Sequence, residues 1–229
     1  MNDVGESDFQ PREELQTRSS ARVSDSLGDE YRERFDNSLG QIAEAISEHL
    51  QTYLAKEPRI DRVTARAKSP DRFLQKATIQ LDGHPKYSEP LRQVQDQIGA
   101  RIVVFFHSDV ERVCKLIEKY FRPIEAKQLI PESEWEFGYF GTHYVLIIPE
   151  DVVPNNLDRR LVPEFFELQV KTLFQHAWSE ANHDLGYKPG SRTLTSDAVR
   201  RLAFTSAQAW GADIIFSELF ANTQSKATA

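Results

Sequence analysis

Three short apolar runs, IGARIVVFF (98–106), THYVLIIP (142–149) and PEFFELQVKT (163–172), most constrain the fold of this chain. They are too short for buried helices and rich in β-branched and aromatic residues, so they predict core strands. A further strand is expected near 123–130, and DVERVCKLIEKYF (109–121) between them has helical spacing with Asp109 and Glu111 in its first turn. The runs are almost unbroken, which suits strands buried on both faces. The expected fold class is α/β (α+β), a mixed sheet with helices packed against it.

Upstream, Tyr31, Phe35, Leu39, Ile42, Ile46, Leu50 and Tyr53 recur at steps of three and four and predict one amphipathic helix ending near Pro58. The segment IDRVTARAKS reads as a strand and turn. Ser69 as cap and Pro70 at the first helical position then open a helix carrying Arg72 and Lys76. A loop with Asp82, Gly83 and Pro85 follows. Two helices close the chain. In the first, Phe174, Ala177, Trp178, Ala181 and Leu185 form the expected buried stripe, with His176, Glu180 and His183 opposite; in the second, from about Asp197 to Phe220, Val199, Leu202, Ala203, Ala207, Trp210 and Ile214 are expected to face inward. The boundaries implied are a disordered leader 1–28, poor in large apolar side chains, an N-terminal helix 29–58, a main domain 59–190, and a C-terminal helix and tail 191–229.

A net charge of −7 argues against indiscriminate nucleic-acid binding, which depends on phosphate neutralisation by Lys and Arg. The single cysteine, Cys114, has no internal disulfide partner, which suits a reducing, cytoplasmic setting. No stretch reaches the ~18–20 apolar residues of a membrane span, and the polar, acidic N-terminus does not read as a secretory signal.

Within this frame two carboxylates stand beside core strands. Asp96 precedes the first run, and Glu167 alternates with Gln169 and Lys171 along one face of the third. Asp96 alone reads first as a turn residue, whereas the row at 167–171 reads first as substrate-facing, with the solvated face of an edge strand as its alternative. Arg101 within an apolar strand, however, calls for an anionic partner. Arg66, Lys68, Ser69, Arg72 and Lys76 gather cations at a strand end and a helix N-terminus, an arrangement suited to phosphate as well as to a solvated basic face. Two acids and a cation cluster are what a metal ion held against a polyphosphate requires. No glycine-rich Walker loop is present. In EWEFGYFGTHYV, Trp135, Phe137, Tyr139, Phe140 and Tyr144 surround two glycines and read either as base-stacking aromatics or as loop anchors, with His143 near a ribose or phosphate. The His176, Glu180, His183 stripe lacks the HExxH pattern of a zinc site.

Taken together these segments resemble the synthetase domain of the RelA/SpoT family of (p)ppGpp synthetases. RAKSPDRFLQK is similar to the family's R-x-K-S turn and helix, and DQIGAR to its D-x-x-G-x-R. GYFGTHYV is similar to its G-Y-x-S-x-H loop, and ELQVKT with HAWSEANHDLGYK to its E-x-Q-x-R-T and W-A-x-x-E-H-x-x-x-Y-K segments. The resemblance implies a nucleotidyltransferase-like mixed sheet and Mg²⁺-dependent transfer of pyrophosphate from ATP to the 3′-hydroxyl of GDP or GTP. It implies ATP contacts from Arg66, Lys68, Ser69, Lys76 and Arg101, with Asp96 and Glu167 as the catalytic, metal-holding pair and Glu167 alternatively as base. Acceptor contacts would come from Tyr139 by stacking and from His143, Gln169, Lys171 and His176. It further implies a small, synthetase-only member, with a homo-oligomer built through the terminal helices. The chain departs from the pattern at Lys171 (usually Arg), Asn182 (usually Glu) and Gly141 (usually Ser), and Glu132, Glu134 and Glu136 make the preceding loop acidic. Those departures leave two alternatives open: a member that modifies the 3′ end of tRNA or an adenine nucleotide, and a silent nucleotide-binding module.

Overall fold

The computed structural model describes residues 26–128, 137–139, 141–186 and 194–227. Helix α1 (26–34) continues through one π turn at Phe35–Leu39 into α2, Gly40–Leu54. It thus starts and stops about three residues earlier than the apolar spacing suggests. Residues 26–28, assigned to the leader, are already helical, and residues 1–25 lie outside the described residues. Tyr31, Leu39, Ile42, Ile46 and Leu50 are buried as expected, whereas Tyr53 is exposed and Leu54 takes the last buried position.

Five strands form the main sheet: β1 Ile60–Ala67, β4 Ile98–Val104, β5 Pro123–Gln128, β6 Thr142–Ile147 and β7 Phe165–Thr172. Their order is β1-β4-β7-β6-β5. The β4–β7 pair is parallel and the remaining pairs are antiparallel, so the sheet is mixed. A small ladder, β2 Gln80–Leu81 with β3 His84–Pro85, replaces the loop expected there. The helices are α3 Pro70–Ala77, the single turn α4 Pro90–Gln93, α5 His107–Tyr120, α6 Leu173–Gly186 and α7 Ser196–Ala227.

The two faces of the sheet differ in chemistry. Ile98, Ala100, Ile102 and Val104 of β4, Phe166, Leu168 and Val170 of β7, and Tyr144 and Leu146 of β6 share one core with α1, α2 and α5. The opposite face carries Gly99 and Arg101 of β4, Glu167, Gln169 and Lys171 of β7, and His143 of β6. The expectation of strands buried on both faces by apolar packing is therefore corrected. An unbroken apolar run can still leave every second residue free for a polar surface, and here that surface is roofed by α6.

The closing helices also depart from their expected stripes. In α6 the buried side chains are Gln175 and Trp178, while Ala177, Ala181 and Leu185 face out. In α7 the buried positions are Ser206 and Asp213, while Val199 and Trp210 are about half exposed. Helices whose apolar residues are spread around the axis do not reveal from spacing which side meets the domain.

Asp109 anchors the join between β1, β4 and α5. Its buried carboxylate accepts hydrogen bonds from Arg59 Nη2 at 2.7 Å, Arg112 Nη2 at 2.8 Å and the Phe106 backbone N–H at 3.3 Å. The same contacts hold Arg59 at φ 59°, a conformation unfavourable for a side chain of this size. Asp109→Ala takes the carboxylate from Arg59 and leaves Arg112 with Glu57 alone, and urea unfolding should show a loss of about 3 kcal/mol.

Candidate functional site

A cleft of about 700 Å³ opens on the polar face of the sheet, between the β1–α3 turn and α6. Pairing across the sheet builds its floor. Arg66 lies opposite Gly99, which lies opposite Glu167; Thr64, Arg101, Gln169 and His143 form the adjacent row. Five cations, Arg66, Lys68, Arg72, Arg101 and Lys171, line it against three carboxylates, Asp96, Glu167 and Glu180. This excess of positive charge suits a polyphosphate.

At one end, Lys68 and Ser69 occupy the turn after β1, and α3 starts at the cleft with Pro70. Ser69 takes the cap position with extended backbone, but its hydroxyl makes no capping bond, which corrects the serine-cap expectation. Asp96 faces this turn. Its Oδ2 meets Lys68 Nζ at 2.8 Å and its Oδ1 meets Lys76 Nζ at 3.0 Å. Burial alone would lower the Lys76 ammonium, but Asp96 outweighs it and holds Lys76 above its ordinary value. Lys76 therefore reaches the cleft through the carboxylate and is not itself a lining residue.

Glu167 stands further along the floor. Its Oε1 accepts from Gln169 Nε2 at 2.6 Å and lies 3.2 Å from His143 Nδ1. Burial pushes its carboxyl up, but the bonds from His143 and Gln169 and the charge of Lys76 prevail and hold it at about 2. It is ionised throughout the physiological range. From above, Arg101 is tied to Glu180 at 2.6 Å, His176 Nδ1 at 3.0 Å and Gln169 Oε1 at 3.4 Å. Its predicted anionic partner is thus Glu180, a residue weighed in sequence only as a metal ligand. Arg72 lies 3.3 Å from His183 Nε2. The His176, Glu180, His183 stripe is therefore engaged by arginines. Among the described residues no group of three or more His, Cys, Asp or Glu side chains is placed to hold a metal by itself.

Lys171 is 3% exposed, and its Nζ donates to Ser179 Oγ at 3.1 Å. Among the described residues no carboxylate closes on it. Burial, reinforced by Arg101, pulls its ammonium down to about 8. Gly141 accounts for part of that burial: at φ 97°, a Cβ there would lie 2.8 Å from Lys171 Cγ and 2.7 Å from the Val170 carbonyl oxygen. Only glycine lets the backbone at 141 lie this close to β7.

Tyr139 requires a correction. It was expected to stack on an acceptor base, but it is 7% exposed and does not line the cleft. Its hydroxyl donates to Asp213 Oδ2 at 2.6 Å and lies 2.7 Å from His107 Nε2, and Thr172 Oγ1 bonds the same carboxylate oxygen. The loop-anchor reading of this aromatic is the one the structure adopts. Phe137 is exposed beside Trp210, Tyr144 is a core residue, and Trp135 and Phe140 lie outside the described residues, as do Glu132, Glu134 and Glu136. Asp213 escaped sequence reasoning, although an acid on an otherwise apolar helical segment, ADIIF, is the signal that marks it.

The geometry thus joins Arg66, Lys68, Ser69, Asp96, Arg101, Glu167, Gln169 and Lys171 in one cleft. His143, Lys76 and His176 contact its lining side chains, and Tyr139 stands apart. Residues 65–192 match the family model described as "Region found in RelA / SpoT proteins". The chain belongs to the RelA/SpoT family. Among curated proteins it is similar to the GTP pyrophosphokinase YjbM of Bacillus subtilis (strain 168), 29% identical over 134 residues, which are 56% of this chain and 57% of that protein. Among solved structures it is similar to small alarmone synthetase 1 from Bacillus subtilis, with a TM-score of 0.63 and 24% identity over 88% of this chain and 97% of that one. The same synthetase bound to its product pppGpp gives a TM-score of 0.64 and 24% identity, covering 80% and 93%. At this identity the structures establish the shared mixed-sheet fold.

The unpaired Lys171 makes a pH test. Its folded value, about 8, lies below the ordinary 10.5. The unfolded chain therefore binds more protons between those limits, and stability rises with pH across that window. Below it the burial cost is present in full. Lys171→Met should raise the melting midpoint at pH 7, by roughly 2–4 °C per kcal/mol of cost removed, with the gain shrinking above pH 8 and gone near 10.5. Thermal unfolding scans across pH check it.

Proposed function

We propose that this RelA/SpoT member is a pyrophosphokinase that moves the β,γ-pyrophosphoryl group of ATP to the ribose 3′-hydroxyl of GDP or GTP. One observation carries the reading: Asp96 from the turn before β4, Glu167 from β7 and a surplus of arginine and lysine line a single cleft. The donor phosphates would meet Arg66, Lys68, Ser69 and Arg101, with Lys76 behind Asp96. The acceptor would lie toward His143, Gln169, Lys171 and His176. Lys171 lacks a carboxylate in contact, so an acceptor phosphate would supply its missing countercharge. In the reaction the 3′-oxygen bonds to the β-phosphorus, the bond from that phosphorus to the α,β-bridging oxygen breaks, and AMP departs with the electron pair. Glu167, held at about 2, is a poor proton acceptor in the resting protein. It accepts the hydrogen bond of the 3′-hydroxyl, aligns it, and takes the proton late, a division of labour suited to a loose transition state.

The site fits a divalent cation. Asp96 Oδ1 is buried and makes no hydrogen bond, its contact being the Lys76 ammonium. Glu167 is fully ionised, and magnesium characteristically takes one or two carboxylates and completes its shell with phosphate oxygens and water. Asp96 and Glu167 would hold Mg²⁺, which would neutralise charge on the transferring phosphates. No helix among the described residues is long and apolar enough to cross a membrane, and we place the protein in the cytoplasm.

Offering labelled ATP and Mg²⁺ with GDP, GTP, GMP, ATP and deacylated tRNA in parallel should yield 3′-pyrophosphorylated guanosine. Label on the tRNA 3′ end or on an adenine nucleotide instead would reassign the acceptor, and nucleotide binding without any product would make the chain a silent binding module. Asp96→Asn and Glu167→Gln change little volume; each should lower turnover by at least about a hundredfold while the protein still folds, with a melting transition lowered by the lost carboxylate contacts but well above the assay temperature.

We also propose a homo-oligomer through α7. Phe204, Ile215, Phe216 and Leu219 are each at least half exposed on a helix whose other side already meets the domain, and an apolar surface of this kind is costly in water. Light scattering should give a multiple of 26.3 kDa, and a Phe204→Ser/Leu219→Ser variant should run as a monomer.

A further inference from the structure

Helix α1 lies outside the stretch that matches the family, yet two of its side chains grip the donor end of the cleft. Tyr31 is fully buried and its ring stacks on Phe73 of α3, with centroids 3.7 Å apart and planes 2° from parallel. Its hydroxyl donates to the backbone carbonyl of Lys68 at 2.8 Å. One turn on, Arg34 Nη1 donates to the Leu91 carbonyl and to Gln97 Oε1, both at 2.9 Å. Gln97 is itself 2% exposed, and its Nε2 donates to the carbonyls of Leu91 at 2.9 Å and Val94 at 3.1 Å. The circuit closes through the Lys68 backbone N–H, which donates to the Gln97 carbonyl at 2.8 Å.

Residues three apart share a helix face, so one rigid element fixes both segments at once. Lys68 and Asp96, whose side chains meet at 2.8 Å, sit at the two gripped points: Lys68 is bonded directly and Asp96 precedes Gln97. Burial and the Asp96 carboxylate hold the Tyr31 phenol above its ordinary value, so it remains a neutral donor. We infer that Tyr31 and Arg34 are positioning residues for the donor nucleotide, acting through Lys68 and Asp96 without touching it. This inference rests on the functional reading above and adds a part of the chain that the family motifs do not include. Binding geometry loosened by a fraction of an ångström at a phosphate site lowers affinity and rate together.

The test is calorimetric binding of α,β-methylene ATP with Mg²⁺, and separately of GDP, to wild type and to Tyr31→Phe, Arg34→Met and Arg34→Lys. Tyr31→Phe removes one oxygen and keeps the ring stack, so the fold stands. It should weaken analogue binding about three- to tenfold, as loss of one hydrogen bond implies, with GDP binding changed less than about twofold. Arg34→Met should act likewise, and Arg34→Lys should regain part of the loss. A lowered melting temperature with analogue affinity unchanged would show a merely structural contact and overturn the inference, as would equal losses for analogue and GDP. Wild-type protein that fails to bind the analogue would overturn the functional reading and this role with it.

Discussion

The parallel pairing of β4 with β7 is the constraint on which the cleft depends. With Gly99 opposite Glu167 and Arg101 opposite Gln169, one face of both strands is aliphatic and the other carries the chemistry. A slip of one residue would turn Glu167, Gln169 and Lys171 into the core and expel Phe166, Leu168 and Val170, at a cost no surface contact offsets. The register is therefore enforced by hydrophobic burial, and the site inherits its precision from packing on the far side of the sheet. Parallel neighbours cannot be joined by a hairpin, so the chain between β4 and β7 must cross over. The crossover supplies α5, β5 and β6, and β6 returns alongside β7 with His143 beside Glu167.

Each carboxylate of the resting cleft is engaged, whereas Arg66, Arg72 and Lys171 meet no carboxylate among the described residues. Asp96 is held by Lys68 and Lys76, Glu167 by His143 and Gln169, and Arg101 by Glu180. Among the described residues Lys171 meets only a hydroxyl. Such an arrangement holds the carboxylates in place before a ligand arrives, which reduces reorganisation. On the proposed function, an incoming polyphosphate would compete with Asp96 for Lys68, the lysine of the pair that lines the cleft.

The strands and the donor-side turn were legible because their signals are local. Apolar runs mark β4, β6 and β7, Ser69-Pro70 marks the start of α3, and alternation puts Glu167, Gln169 and Lys171 on one side. What escaped depends on which neighbour a helix meets. Trp178 was assigned to the buried stripe of α6 correctly, yet Ala177, Ala181 and Leu185 were not, since Gln175 takes the inner position by bonding the Thr172 backbone N–H. Tyr139 could not be placed from its own segment, since its partner Asp213 is 74 residues away. Tyr31 was read as an ordinary core residue; its hydroxyl bond to Lys68 spans 37 residues and leaves no local trace.

Two of the chain's departures from the family pattern prove to be neighbours. Gly141 stands where serine is usual and Lys171 where arginine is usual, and a Cβ at 141 would collide with the Lys171 stem and the Val170 carbonyl. Glycine lets the loop press on β7 and excludes water from the lysine; the lysine, narrower than a guanidinium, fits beneath the loop and reaches Ser179 with a single donor. Restoring serine alone would add a side chain in a left-handed conformation against the lysine stem. Lys171 is thus a buried ammonium without a carboxylate in contact among the described residues, and on the proposed function an anionic acceptor would supply the countercharge and raise the affinity of Lys171 for its proton.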